Sequence, residues 1–299
     1  MKEEMENFHE NQTWEIVKRP KRKTVIGCRW VFRKKLNADK EIERYKARLV
    51  ARGFSQIPGQ DFFETYSPVI RKKTLRLMLA IAVEKGWATA HIDVKCAYLN
   101  SRLTEELYME QPVGFEELDP MRHVCRLKRS IYGLHQSGKL WNEEIDGKLK
   151  QMKYIASKLE PCLYYNSEKN ILIGIYVDDL LAVGERRFLD EFKRKLRSVY
   201  AIKDLGEVSH QLSIEITRPY PDEVGLNQTN YTEEILTTFG MENSRPYATP
   251  LPLANSSSSL KAEEDETTKF NPTIYRKAMG YLLHLANNTR PDIAMQYIT

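Results

Sequence analysis

Apolar positions along this chain fall in short bursts, some with a two-residue period and some with a helical one. Residues 25–52 read as a long hairpin: VIGCRWVFRKK and EIERYKARLVAR are β-prone, and Asn37-Ala38-Asp39-Lys40 supplies the turn chemistry. In its second strand the period puts Arg44, Lys46 and Arg48 on one face, with Tyr45, Ala47 and Leu49 on the other. Thr74 to Lys85 reads as a buried helix, with Thr74 as N-cap and Gly86 as stop. ATAHIDV (88–94) predicts a strand in which Asp93 stands between Ile92 and Val94. ILIGIYV-DD-LLAVG (171–184) predicts a tight hairpin with Asp178 and Asp179 at its tip. Phe188, Phe192, Leu196 and Val199 mark an amphipathic helix over 186–200. Further on, 230–240 predicts a short helix with Ile235, Leu236 and Phe239 on one side and Gly240 as stop. Residues 272–286 predict a second helix, and Arg290-Pro291-Asp292 opens another.

Residues 12–250 look continuously globular. Residues 251–270 (LPLANSSSSLKAEEDETTKF) are rich in Ser and acids and read as a flexible linker, and 271–299 return to helical periodicity. No internal repeat is visible. With 299 residues, 41 % apolar and 29 % charged, the chain can bury a core. Its longest uncharged apolar runs, 77–83 and 171–177, fall far short of the ~18 residues of a membrane span. The acidic, polar N-terminus is not that of a signal peptide. Cys28, Cys96, Cys125 and Cys162 lie far apart with no C-x-x-C pair, so reduced, mostly buried thiols and an intracellular setting are expected.

The net charge of +5 is unevenly spread: +7 over residues 1–60, +3 over 61–200 and −5 over 201–299. A basic front half suits a polyanion, nucleic acid before membrane. Arg44, Lys46 and Arg48 in one strand face repel one another unless an anion sits opposite. They form either a solvated basic face or a surface that grips phosphates. Asp93 inside a β-branched run needs solvent or a cation, and the adjacent Asp178 and Asp179 repel unless something positive holds them. Converging, the three carboxylates could hold two Mg²⁺, a hard cation that prefers oxygen and keeps several waters. Two such ions about 3.5–4 Å apart clamp the attacking and leaving oxygens of a phosphoryl displacement.

These residues sit in stretches that resemble one family: NQTWEIV (11–17), CRWVFRKK (28–35), YKARLVARGFSQIPGQDFFETYSPV (45–69), HIDVKCAYLN (91–100), LYMEQPVGF (107–115), LKRSIYGLHQSGKLW (127–141), YVDDLLAVG (176–184) and YRKAMGYLLHLANNTRPDI (275–293). The ordered set resembles the reverse transcriptase region of Pol polyproteins from copia-type (Ty1-like) LTR retrotransposons. The resemblance implies an α+β right-hand polymerase with fingers (12–87), a palm with an antiparallel sheet (88–215) and a thumb (216–250). After the linker, 271–299 would lead into an RNase H region. The implied activity is RNA-directed DNA polymerisation with two Mg²⁺, or Mn²⁺ in their place, on an RNA or DNA template with primer and dNTPs, without a membrane. The implied setting is a cytoplasmic virus-like particle, and the nucleus.

Carried over residue by residue, Asp93 would bind both metals, with the Val94 carbonyl as a further ligand. Asp178 and Asp179 would be the aspartate pair of the YVDD box, Asp178 the better candidate for direct ligation. Lys46 and Arg48 would meet the incoming triphosphate, although counting alone does not choose among Arg44, Lys46 and Arg48. Tyr98 would lie under the sugar and exclude a 2′-OH by bulk. Gln136 would stand beside the incoming nucleotide and primer, with Gly138 allowing close backbone approach. Tyr98 and Ser101 stand where Phe and Gly are usual, and His135 where Lys is common; none removes a metal ligand. RNase H, protease and integrase segments are absent from this sequence. The alternative expectation is therefore a catalytically silent decayed or domesticated fragment that at most binds nucleic acid.

Overall fold

A computed structural model describes residues 1–36, 41–246 and 271–297. The expected turn at 37–40 and linker at 251–270 lie outside the described residues. In chain order the elements are α1 (Lys2–Glu10), β1 (Trp14–Lys18), β2 (Val25–Ile26), β3 (Cys28–Leu36), β4 (Ile42–Ala51), α2 (Lys72–Glu84), β5 (Ala88–Val94), β6 (Arg102–Met109), β7 (His123–Arg129), α3 (Ser137–Gln151), β8 (Ile155–Ala156), β9 (Leu163–Asn166), β10 (Ile171–Tyr176), β11 (Asp179–Gly184), α4 (Arg186–Arg197), β12 (Ile202–Asp204), β13 (His210–Gln211), β14 (Ile214–Thr217), β15 (Gly225–Asn227), α5 (Thr229–Thr238) and α6 (Pro272–Asn288). The fold is of the mixed α+β class and divides into two compact units, Met1–Glu207 and Val208–Thr299.

The first unit holds a six-stranded antiparallel sheet in the order β12-β5-β11-β10-β9-β8. Both of its faces are covered. On one, Tyr164 donates from its hydroxyl to Asp146 of α3 at 2.9 Å; on the other, Ile70 and Met78 pack on Gly174. Two-sided burial explains why 171–175 and 180–184 read as unbroken apolar runs, with Ile173, Ile175, Leu180, Leu181, Ala182 and Val183 all buried. A second sheet, β1-β7-β6-β2, encloses a core of Ile26, Leu107, Met109, Cys125 and Leu127. Helix α1, which precedes the expected globular start at residue 12, adds Met5 and Phe8 to it.

The hairpin expected over 25–52 is shorter at its base. Val25–Ile26 leaves to pair in parallel with β6, and β3 with β4 alone form a two-stranded ribbon. The ribbon is pinned where the Ala51 N–H donates to the Tyr132 carbonyl at 2.8 Å. Gly133 there has φ +97, and a side-chain carbon on it or on Gly53 would run into the opposing backbone. Helix α2 begins two residues before the expected start, with Arg71 as N-cap; Thr74 sits in the first turn and donates its hydroxyl to Glu160. Its end is as expected. Gly86 has φ +61, its N–H donates to the Val83 carbonyl and that of Trp87 to Ala82, the two bonds of a Schellman stop. In α4 Phe192 and Leu196 are buried as expected, and Leu189 joins them; Phe188 is half-buried, and Val199, beyond the helix end, is exposed.

In the second unit β13, β14 and β15 form a small antiparallel sheet. Tyr231 of α5 and Tyr281 of α6 pack with ring centroids 5.6 Å apart, and Ile235 and Leu285 are buried. Gly240 ends the α5 segment at φ +64. The segment opened by Arg290-Pro291 is a 3-10 helix, Pro291–Tyr297, in place of the expected α-helix.

Candidate functional site

The site grows from one register. Asp179 of β11 stands directly opposite Asp93 of β5, while Tyr176 faces Asp179 from β10 and Lys203 faces Asp93 from β12. The pleat puts all four on one face, so a row Lys203–Asp93–Asp179–Tyr176 crosses the sheet. Two carboxylates opposed on adjacent strands repel, and packing gives no return for them. The sheet positions this charge without deriving stability from it.

The hairpin tip differs from the expected one. Because Tyr176 pairs with Asp179, the two-residue loop is Val177-Asp178, and Asp179 is already the first residue of β11. Val177 has φ +57, a left-handed conformation that a β-branched residue disfavours, at about 1–3 kcal/mol. Two bonds hold it there. Trp141 Nε1 donates to the Val177 carbonyl at 2.7 Å, and the Val94 N–H donates to the Asp178 carbonyl at 2.8 Å. Neighbouring strands and helix α3 therefore fix where Asp178 stands. Burial pushes its carboxyl pKa up, and the charges of Asp179 and Asp93 push the same way; its own N–H and Arg48 oppose them.

Arg48 is the cation that reaches this corner. Its guanidinium lies 4.5 Å over the Tyr132 ring, and Tyr132 meets Tyr98 edge-on at 4.7 Å. Burial raises the Tyr98 phenol, and the Asp178 charge raises it further. Tyr98 sits on a short 3-10 turn, Ala97–Asn100, immediately after β5. Lys46 is half-buried two positions further out. It lies beside Glu4 of α1, whose carboxyl pKa is raised by burial, while an N–H from Leu49 and the charges of Lys46 and Arg48 hold it back. Across the ribbon Arg33 stands opposite Lys46, and Lys35 opposite Arg44. Such like-charged pairs weaken a ribbon and suit an anion laid over it.

Gln136 is occupied differently. It is buried, its Nε2 donates to the Asp61 carbonyl at 2.9 Å, and its Oε1 accepts from Gln56 Nε2 at 3.0 Å. Gln56 in turn accepts the His135 N–H at 2.9 Å. Gln136 thus ties the 56–61 loop to the start of α3, and both ends of its amide are used within the chain. Gly138 admits the Ser67 side chain, so the close approach there is by a side chain.

The structure thus brings Asp93, Val94, Asp178, Asp179, Arg48 and Tyr98 to one corner, with Lys46 on its flank and Gln136 beneath an adjoining loop. Sequence reasoning missed Tyr132 and Trp141, although both lie in the quoted stretch LKRSIYGLHQSGKLW, and it missed His91, two residues before Asp93. The donors at the corner are hard oxygens, which fit a hard divalent cation. Asp93, Asp178 and Asp179 share this corner, but among the described residues no three His, Cys, Asp or Glu side chains are arranged as a ready metal cage. Asp179 Oδ1 is instead 3.2 Å from His91 Nε2. Mg²⁺ keeps waters and accepts phosphate oxygens, so an open set of carboxylates is compatible with it. The cysteines are half-buried (Cys28, Cys96) or buried (Cys125, Cys162), and burial raises the pKa of Cys28, Cys96 and Cys162 to about 11. Among the described residues no helix is long and apolar enough to cross a membrane.

Residues 11–253 match the family described as "Reverse transcriptase (RNA-dependent DNA polymerase)", and the chain belongs to that family. Its relatives include Pol polyproteins of copia-type retrotransposons. It is 38 % identical over 301 aligned positions to "Retrovirus-related Pol polyprotein from transposon TNT 1-94" of Nicotiana tabacum, covering 98 % of this chain and 23 % of that protein. It is 37 % identical over 289 positions to the corresponding polyprotein from transposon RE2 of Arabidopsis thaliana, covering 95 % and 19 %. A more distant relative, "Transposon Ty1-BL Gag-Pol polyprotein" of Saccharomyces cerevisiae, is 29 % identical over 228 positions, covering 74 % and 12 %. The chain spans about a fifth of the length of the first two.

Proposed function

We propose that this chain is an RNA-directed DNA polymerase module that transfers a nucleotide from a dNTP to a primer 3′-OH on an RNA or DNA template. The observation that carries the reading is the opposition of Asp93 and Asp179 beside the strained tip bearing Asp178, in a chain of the reverse transcriptase family. Asp93 and Asp178 are the direct metal ligands, Asp179 contributes its remaining oxygen, and the Val94 carbonyl adds to the set. Mg²⁺, two ions or Mn²⁺ in their place, supplies charge neutralisation at the reacting phosphate when bound. The carboxylates hold and orient; Arg48, with Lys46 outside it, receives the triphosphate. The like-charged ribbon pairs support that assignment, since an anion relieves them. Tyr98, braced on Tyr132, lies under the deoxyribose and leaves no room for a 2′-OH. Gln136 acts through the loop it ties, beside the nucleotide and primer. In this reading the chain has the right-hand layout of fingers (12–87), palm (88–215) and thumb (216–250).

Primer extension on a poly(rA)/oligo(dT) substrate, wild type against Asp178→Asn, tests the reading. dNTP incorporation by the wild type that is lost in the variant supports it. Equal incorporation by both, or binding of the substrate without incorporation by the wild type, overturns it.

A further inference from the structure

His91 stands in β5 two residues before Asp93, on the same face of the sheet, and its register partner on β11 is Leu181. It is therefore diagonal to Asp179 within the cross-strand lattice. The ring Nε2 lies 3.2 Å from Asp179 Oδ1, and the His91 side chain is 13 % exposed. An ionised carboxylate oxygen only accepts, so in this contact Nε2 carries the hydrogen and donates it. The contact gives Asp179 a direction. It acts against the repulsion from Asp93, which stands directly opposite.

We infer that His91 is a positioning residue for the acidic row. By holding Oδ1 of Asp179 it fixes the rotamer of that side chain and leaves Oδ2 as the oxygen available to a cation shared with Asp93 and Asp178. The inference rests on the polymerase reading above and adds a residue to it. The chemistry required at position 91 is an N–H at the reach of the imidazole Nε2. A glutamine amide can supply one and an aliphatic side chain cannot. Groups that orient a metal-binding carboxylate from behind typically change metal affinity by about 10–100-fold when removed.

The test is Mn²⁺ binding by the intact chain, followed by electron paramagnetic resonance, for wild type, His91→Leu, His91→Gln and Asp178→Asn. Melting temperatures are measured alongside. The expected result is a loss of about 10–100-fold in Mn²⁺ affinity for His91→Leu, with His91→Gln within a few-fold of wild type. In primer extension, His91→Leu should need more Mg²⁺ for half-maximal rate while reaching a similar rate at saturation. If His91→Leu does not fold, His91→Met, of similar length and without an N–H, takes its place. Unchanged Mn²⁺ affinity in His91→Leu while Asp178→Asn loses it overturns the role of His91 and leaves the polymerase reading standing. Equal losses in His91→Leu and His91→Gln overturn it as well, because then the ring and not its N–H matters. Mn²⁺ binding that survives Asp178→Asn unchanged removes the metal site itself, and the His91 proposal with it.

Discussion

The acids and the cations of this site are held by opposite means. Asp93 and Asp179 sit at the ends of two adjacent inner strands of a six-stranded sheet, and the tip bearing Asp178 is fastened by Trp141 and Val94. Arg48 and Lys46 sit on a two-stranded ribbon whose far end is exposed, with Phe32 and Tyr45 66 % and 74 % open to solvent. A two-stranded ribbon is marginal in water by itself. This one is fastened at its base through Ala51 and Tyr132, so Arg48 is near its anchor and Lys46 one pleat further from it. Like charges face one another in both places, Asp93 opposite Asp179 in the sheet and Lys46 opposite Arg33 on the ribbon. In the proposed polymerase reading, carboxylates that share ions need fixed spacing, whereas cations that take up a triphosphate need only reach it.

The largest expected effect breaks the acidic half. Asp178→Asn should lower nucleotide incorporation by roughly three orders of magnitude, since an ion's charge stabilisation is worth several kcal/mol. It should also raise thermal stability when no divalent ion is present. The folded state raises the Asp178 pKa above its ordinary 3.8. The native state therefore holds that proton more tightly than the unfolded chain, and stability attributable to Asp178 falls as pH rises through the interval between the two values. Melting curves from pH 3 to 8 should show the wild type losing more stability with rising pH than Asp178→Asn. Identical pH profiles would mean that Asp178 is not strained.

Next comes the cationic half. Lys46→Ala with Arg48→Ala should raise the KM for dNTP by about 10–100-fold, the size expected for losing charge-assisted hydrogen bonds. Template affinity should keep most of its dependence on salt, because the remaining phosphate contacts are untouched. Arg48→Ala alone should produce most of the effect, since the Arg48 charge bears on Asp178 while Lys46 sits one pleat further out. A steady-state titration of dNTP for both single variants would decide it, with equal effects counting against the unequal anchoring described above.

How much of this was legible in the sequence follows the same division. The strand at 88–94 and the hairpin at 171–184 could be read because their apolar runs are bounded by acids that make no sense as core. The exact tip could not, because a β-branched residue at positive φ is held there only by Trp141 and Val94, from other parts of the chain. The two-faced ribbon was legible from its period, but its branching at Gly27 was not, since Val25–Ile26 pairs with β6, 83 residues further along the chain. In α4 the periodicity picked out Phe192 and Leu196 correctly, but between the neighbouring apolar residues Phe188 and Leu189 the pattern alone could not choose the buried one. Gln136 was recognised as a site residue from the resemblance alone, and its hydrogen bonds to Gln56 and Asp61 are invisible to any local pattern.

Two smaller effects sharpen the contrast. Tyr98→Val should raise the ratio of rNTP to dNTP incorporation while most dNTP activity persists, and losing the edge-on contact with Tyr132 should remove about 0.5–1.5 kcal/mol of stability. The ratio measured beside the melting temperature separates a steric role from plain packing. Gln136→Leu should act on stability first. It strands the Gln56 amide and the Asp61 carbonyl, each worth about 1–3 kcal/mol when left unmade in a buried place. Any loss of activity should then follow the melting temperature, and a fall in activity at unchanged stability would give Gln136 a direct part at the nucleotide.

The most direct measurement of the whole account is single-turnover incorporation of one dNTP on a preformed primer–template complex as a function of Mg²⁺, for wild type and for Asp93→Asn, Asp178→Asn and Asp179→Asn. Asp93→Asn and Asp178→Asn should lower incorporation by roughly three orders of magnitude at every Mg²⁺ concentration. Asp179→Asn should retain a measurable rate with a raised Mg²⁺ requirement, as befits a carboxylate already held through one oxygen by His91. Incorporation by Asp93→Asn at the wild-type rate, or by all three variants alike, would contradict the assignment of the acidic row as the reaction centre.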